Sequence, residues 1–225
     1  MAFTVRSLLP KVQVFRKDLE EERSLFAIQE AVRKVCRNTG YAQAVVSVTS
    51  TPATPTISLT SAMTNYGDVY RVELIRLLDT KLNSYKVLYP YNQTLIDAQE
   101  AYRNYAQGWP TGWSYKGSSV VEIYPTPDIS YTFEVTASYV PTGEITTIPL
   151  PQEAEDAIVA WAQYFILMQP GLGQNLSLAK DREIFHNREL DFLRANALLG
   201  QSGRPRATVR TFATRAIRMY DNRWQ

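Results

Sequence analysis

The stretch from Pro151 to Met168 constrains this chain more than any other. It opens on proline, which suits the first turn of a helix because the missing N–H has no intrahelical partner to lose there. Glu153, Glu155 and Asp156 follow, where carboxylates favour the positive end of the helix dipole. From Ala157 to Met168 only Gln163 is frankly polar. Ile158, Trp161, Phe165 and Met168 fall on one stripe, and Val159, Ala162, Ile166 and Leu167 widen it past half the circumference. A helix apolar on most sides has to be buried on most sides, so this segment is expected to be the central core helix. Gln169-Pro170-Gly171 stops the apolar run after 12 residues, short of the roughly 20 that cross a bilayer. No other segment comes close, and no membrane is expected as a partner.

Everything else must pack around that helix. The chain has 225 residues, 45% of them hydrophobic and 20% charged, enough for one large or two small domains with a real core. A single cysteine, Cys36, excludes internal disulfides and a cysteine-rich metal centre. A single histidine, His186, leaves most nucleophile–histidine and zinc arrangements short of partners. No catalytic residue, metal ligand or cofactor is expected. The N-terminus carries Arg6 and Lys11 but no continuous apolar region, so it does not read as a signal peptide.

Two further helices are expected. The first runs from about Leu19 to Asn38, with Asp18 as N-cap, Glu20, Glu21 and Glu22 in the first turn, Lys34 and Arg37 in the last, and Gly40 as the stop. Leu25, Ile28, Val32 and Val35 form its buried stripe, and Cys36 beside it reads as a small packed residue rather than a reactive thiol. The other runs from about Ser177 to Leu199. Leu178, Phe185, Phe192 and Leu199 recur every seven residues, a narrow contact seam on an otherwise exposed helix. His186, among Arg182, Glu183 and Asn187, reads as a surface histidine.

From Tyr41 to about Val140 the period changes to two. Val46 and Val48 alternate with Ser47 and Thr49, Ile57 and Leu59 with Ser58 and Thr60, and Tyr131, Phe133 and Val135 with Thr132, Glu134 and Thr136. Val121 and Ile123 flank Glu122. This alternation predicts antiparallel strands with one face buried, separated by turns at Thr51–Pro55, Asn65–Asp68, Pro125–Asp128 and Pro141–Gly143. Thr94 to Ala106 reads as a helical island. Tyr102, Tyr105, Trp109, Trp113, Tyr115 and Tyr124, with Gly108, Gly112 and Gly117, pack a sheet edge or offer a stacking platform for a sugar or base. Gly108-Trp-Pro-Thr-Gly-Trp113 lacks the lysine and following helix of a phosphate-cradling loop. Asp97, Glu100 and Glu122 are available as acids, but no spacing marks a catalytic pair. The expected fold class is α+β: an α-helical bundle of about three main helices (1–40 with 150–200), a β-rich antiparallel insertion with a short helix (41–149), and an extended C-terminal arm (201–225).

That arm holds Arg204, Arg206, Arg210, Arg215, Arg218 and Arg223, no lysine and one acid, Asp221. Its +5, set against the chain's +2, leaves −3 on the first 200 residues. A basic end on an acidic body suggests docking onto something acidic. Val209, Phe212, Ala216 and Tyr220 fit a helical stripe; Val209, Thr211, Ala213 and Ile217 fit a strand equally well. Arginine interleaved with Phe212, Tyr220 and Trp224 fits a protein-docking arm or a nucleic-acid-binding module. The absence of lysine and the regular apolar spacing favour protein.

The order of parts resembles the head-to-tail adaptor (connector, or tail tubular adaptor) proteins of tailed bacteriophages. The likeness runs from about Leu8 to Leu199. It is carried by Ala31-Val-Arg-Lys-Val-Cys-Arg-Asn-Thr-Gly40, then Val121-Glu-Ile-Tyr-Pro-Thr-Pro-Asp128 and Phe133-Glu-Val-Thr-Ala-Ser-Tyr139, then Ile148-Pro-Leu-Pro-Gln152, the apolar helix and Leu176-Ser-Leu-Ala-Lys180. The resemblance implies a ring of copies of this chain, commonly twelve, made in the host cytoplasm and placed in the virion neck. It would be bound to the portal protein above and a tail or nozzle protein below, with double-stranded DNA passing through its lumen without sequence-specific binding. It implies no enzyme. The portal-docking arm would be Arg204, Arg206, Arg210, Phe212, Arg215, Arg218, Tyr220, Arg223 and Trp224. Asp18, Glu20, Glu21 and Glu22 are candidate channel-facing acids that let a like-charged duplex slide.

Overall fold

The computed structural model describes residues 3–15, 19–79, 84–91, 107–170 and 174–200, with 197–200 as backbone only. A 3-10 turn (Arg6–Leu8), the single-turn helix α1 (Leu9–Val12) and a second 3-10 turn (Gln13–Phe15) open the chain, burying Val5, Leu8 and Val12. Pro10 sits in the first turn of α1, where its missing N–H is harmless. Helix α2 (Glu21–Thr39) carries Glu21 and Glu22 in its first turn and buries Ala27, Ile28, Ala31, Val32, Val35 and Cys36. It stops at Gly40, whose φ of +66° suits glycine and whose N–H reaches the Cys36 carbonyl at 3.0 Å. Asp18, expected as the N-cap, lies outside the described residues; Glu20 holds that place without a side-chain cap.

Ten strands follow among the described residues: β1 (Gln43–Thr49), β2 (Thr56–Ser58), β3 (Asp68–Asp79), β4 (Ser84–Val87), β5 (Tyr89–Pro90), β6 (Gln107–Gly108), β7 (Gly112–Gly117), β8 (Val120–Tyr124), β9 (Thr126–Pro127) and β10 (Thr132–Val140). They form a sheet of order β1-β10-β3-β4, a second of order β2-β8-β7-β5 and a two-stranded pair β6-β9. In the first sheet every strand pair is antiparallel. Ala44 and Val46, Phe133, Val135 and Ala137, and Val72, Ile75 and Leu77 are buried from it. The register between β10 and β3 shifts at Thr136/Ala137 and again at Ser138/Tyr139, which leaves Glu73 and Tyr70 as the extra residues of β3. That explains why the buried residues of β3 are spaced 72, 75 and 77 rather than every second position.

After a 3-10 turn (Gln152–Ala154), helix α3 (Glu155–Met168) buries Ala157, Ile158, Ala160, Ala162, Gln163, Ile166 and Leu167 and packs against α1, α2 and helix α4 (Leu176–Gly200). The central apolar helix is therefore where the sequence puts it. Its polar exception is anchored: the Gln163 amide donates to the Lys11 carbonyl at 2.8 Å. No helix among the described residues is long and apolar enough to cross a membrane.

The fold class differs from the helical bundle with a β insertion. Among the described residues ten strands in three sheets dominate, and the four helices include one of a single turn. The fold is β-rich. The physical reason lies in the core, where Phe133, Leu77, Ile75, Val135, Val121 and Ile123 from the sheets join Ile28, Val32, Ile158 and Ile166 from the helices in one cluster. Strands supply as much of the interior as helices do, so the sheets are not an appendage on a bundle.

Helix α4 carries a second correction. The seam expected at Leu178, Phe185 and Phe192 is not the buried one: Phe185 and Phe192 are exposed, while Ala179, His186, Leu190 and Leu193 face inward. The contact line is displaced by one residue, because alanine packs closely and the histidine is held by a hydrogen bond. His186, expected on the surface, is fully buried.

Candidate docking surfaces

Among the described residues, those singled out in the sequence do not share one cleft. The arm residues Arg204, Arg206, Arg210, Phe212, Arg215, Arg218, Tyr220, Arg223 and Trp224 lie outside the described residues, as do Asp97, Glu100, Tyr102, Tyr105 and the expected helical island at 94–106. Glu20, Glu21 and Glu22 are exposed at the start of α2, with Glu20 in a loose ion pair to Arg23 at 3.4 Å. Glu122 is buried in β8 and paired with Lys116 at 3.0 Å, which neutralises a carboxylate that burial would otherwise penalise. No group of three or more histidine, cysteine, aspartate or glutamate side chains among the described residues could hold a metal ion.

The described members of the aromatic cluster pack within the fold. Trp113 is buried in β7; the Tyr115 hydroxyl donates to the Val69 carbonyl at 3.1 Å. Tyr91 lies over Gly112, where any Cβ would clash with its ring, and meets Tyr124 edge-on at 5.9 Å. Trp109 meets Tyr131 edge-on at 5.3 Å and is only partly exposed. The Tyr131 hydroxyl in turn donates to Asp128 at 2.7 Å; burial and this carboxylate push the tyrosine up to about 12. Burial likewise pushes the Cys36 thiol up to about 12, so it stays protonated and inert.

What the molecule offers instead is surface of two kinds. On the helical side, Ile184 (68% exposed), Phe185 and Phe192 (57%) form the outer ridge of α4. Phe15 joins them through Arg182, whose guanidinium lies 4.9 Å above its ring. On the first sheet, the face opposite the core is open. Cross-strand partners share a face, so Val45 and Thr136 sit on it with Leu74, and Ser47 with Glu134, Arg76 and Val87. Val45 and Val87 are exposed there, and Arg76 and Glu134 neutralise each other at 2.9 Å. Tyr85 extends the face along β4. The alternation of Val46 and Val48 with Ser47 and Thr49 predicts this face as the solvated one, but Val45, Leu74 and Val87 were not singled out as apolar residues on it; for Val45 the signal was its parity with Ser47.

A cavity of about 230 Å³ opens between the N-terminal segment, α2 and the loop after β10, lined by Val5, Leu25 and Ile145 with Arg6, Gln29 and Glu144 among its polar residues. The loop itself is clamped by Arg33, which donates to the carbonyls of Pro141 and Gly143 while pairing with Glu30. A family model described as SU10 adaptor protein matches residues 4–217. No curated protein matches the chain.

Proposed function

This chain belongs to the SU10 adaptor protein family, and from that phage adaptor role we propose that it is a structural head-to-tail adaptor of the virion neck. Copies of it join the portal to the tail as a ring of about twelve, with DNA passing through the lumen. The family match over 4–217 carries this reading. Two features support it. A closed ring requires a heterologous contact, in which two different faces of one chain meet on neighbouring copies. The ridge of α4 and the open face of β1-β10-β3-β4, the first apolar and the second mixed with exposed valines, are two such faces. The second feature is charge: exposed Glu20, Glu21 and Glu22 suit a lumen that must not hold a passing duplex.

In this reading the helical part (1–40 with 150–200) and the β part (41–149) share one core and act as a body. Residues 201–225, which leave from the end of α4, are the portal-docking arm. Electron microscopy of the purified chain with and without portal tests it. Rings that join the portal, and fail to join it after deletion of Gly203–Gln225, are expected. A chain that stays monomeric with portal present would overturn the adaptor ring, and a truncated chain that still docks would overturn the arm.

A further inference from the structure

His186 is the chain's only histidine and is sealed where α2, α3 and α4 meet. Its Nδ1–H donates to the Ala157 carbonyl of α3 at 2.8 Å. That bond fixes the tautomer, with the proton on Nδ1 and a lone pair on Nε2. Nε2 has no hydrogen-bond partner among the described residues. The imidazole lies against Trp161 of α3, ring centroids 4.8 Å apart, and Trp161 itself meets Tyr164 on the same helix. The charged groups facing this junction are mostly cationic. Lys34 of α2 lies 4.8 Å from the Trp161 centroid, Arg182 and Arg194 belong to α4, and Glu183 of α4 is the opposing acid.

We infer that His186 is a proton-sensitive latch on the α3–α4 pair: neutral, it ties α4 to α3; protonated, it must leave its pocket, and α4 loosens with it. Protonation would create a second N–H, on Nε2, inside a sealed site with no acceptor for it and with Lys34 and Arg194 near. Burial holds the imidazole's pKa below its ordinary value. The bond to Ala157 opposes this, Lys34 assists it, Glu183 opposes and Arg194 assists. Because the folded state binds the proton less readily than the unfolded chain, stability is intact above about pH 6.5 and falls as pH drops below it. Each pH unit shifts the folding equilibrium by up to about tenfold until the folded-state value is reached. The inference stands independently of the adaptor reading. Joined to it, the latch sets how firmly the stem of the docking arm is held.

A single histidine makes the test direct. In the full chain, the one set of imidazole proton resonances followed by NMR is expected to titrate below pH 6.5, together with loss of the native amide signals of α3 and α4. Titration at the ordinary value with those signals undisturbed would overturn the latch. Replacing His186 by Gln keeps a donor for the Ala157 carbonyl and removes the titration. Between pH 7.5 and 5.5 the folding equilibrium of the wild type is expected to fall, by at most about tenfold, and that of H186Q to change little. Should H186Q not fold, Lys34→Gln serves instead: with a cation gone, the acid-induced loss shrinks. Identical pH dependence in wild type and in whichever variant folds overturns the proposal.

Discussion

The first sheet and the α3–α4 pair bury polar groups in opposite ways. In the sheet, the Ser138 hydroxyl lies 3.1 Å from the Gly40 carbonyl and 2.8 Å from the Glu73 carboxylate, which Arg71 also grips at 2.7 Å. Ser50 and Tyr131 exchange two bonds, the Ser50 N–H donating to the Tyr131 carbonyl and the Tyr131 N–H to the Ser50 hydroxyl. On the helices, Gln163 Oε1, Arg182 Nε and His186 Nε2 are buried without a hydrogen-bond partner among the described residues. A saturated network has one arrangement; a site with unused donors and acceptors has others nearly as good. The sheet is therefore the fixed half of the molecule and the helix pair the adjustable half.

The largest test compares two core truncations. Phe133→Ala, near the start of β10 and between Val48 and Leu77, is expected to cost about 3–5 kcal/mol, because a strand hydrogen-bonded on both sides cannot move to fill the void. Ile158→Ala on α3 should cost about 2–3 kcal/mol, since a helix can shift toward its neighbour. Urea denaturation measures both. If Ile158→Ala proves the more damaging, the helical half is the rigid one and the comparison is reversed.

Next in size is Ser138→Ala, which takes one partner from the Gly40 carbonyl and one from Glu73. It is expected to cost about 1–2 kcal/mol, read from the thermal midpoint. If the serine contributes nothing, the network around Glu73 is not what fixes the bulge. The same residues show why this part of the fold was hidden in the sequence. Two extra residues, Tyr70 and Glu73, break the alternation that marked β1 and β10, so the longest strand gave no clean period-two signal. The stop of α2 at Gly40 and the buried core helix were legible, because a left-handed glycine cap and an all-round apolar run each have one structural meaning. The seam of α4 was not: Ala179 and His186 are buried there, and neither residue type announces burial. The candidate docking faces were legible in part. Phe185 and Phe192 were visible as a stripe, whereas the alternation of β1 and β10 marked a solvated sheet face without marking the apolar Val45 and Val87 on it.

Acid should separate the two halves again. Asp128, ahead of β10, accepts from the Tyr131 hydroxyl, which holds its carboxyl below the ordinary aspartate value. A lowered carboxylate contributes stability that is present above about pH 4 and lost as pH falls below that. The sheet's acid response thus begins well below the window assigned to His186. Thermal melts from pH 5 to 2.5 should flatten in Asp128→Asn relative to wild type. Equal slopes would mean that this hydrogen bond does not couple to folding.

The smallest effect on stability should carry the most information about assembly. Phe192 is mostly exposed on α4, so Phe192→Ser is expected to change stability by less than about 0.5 kcal/mol. Val45→Thr on the open sheet face should be equally mild. Exposed apolar ridges that add nothing to folding persist where another surface covers them. The two variants probe the two faces separately, by sedimentation or by counting rings in micrographs. In a heterologous ring each face is half of every contact, so either substitution alone should lower the assembled fraction, and both together should lower it no further than a second hit on one interface would. Loss from Phe192→Ser with none from Val45→Thr would leave the α4 ridge as an assembly surface and remove the sheet face from it.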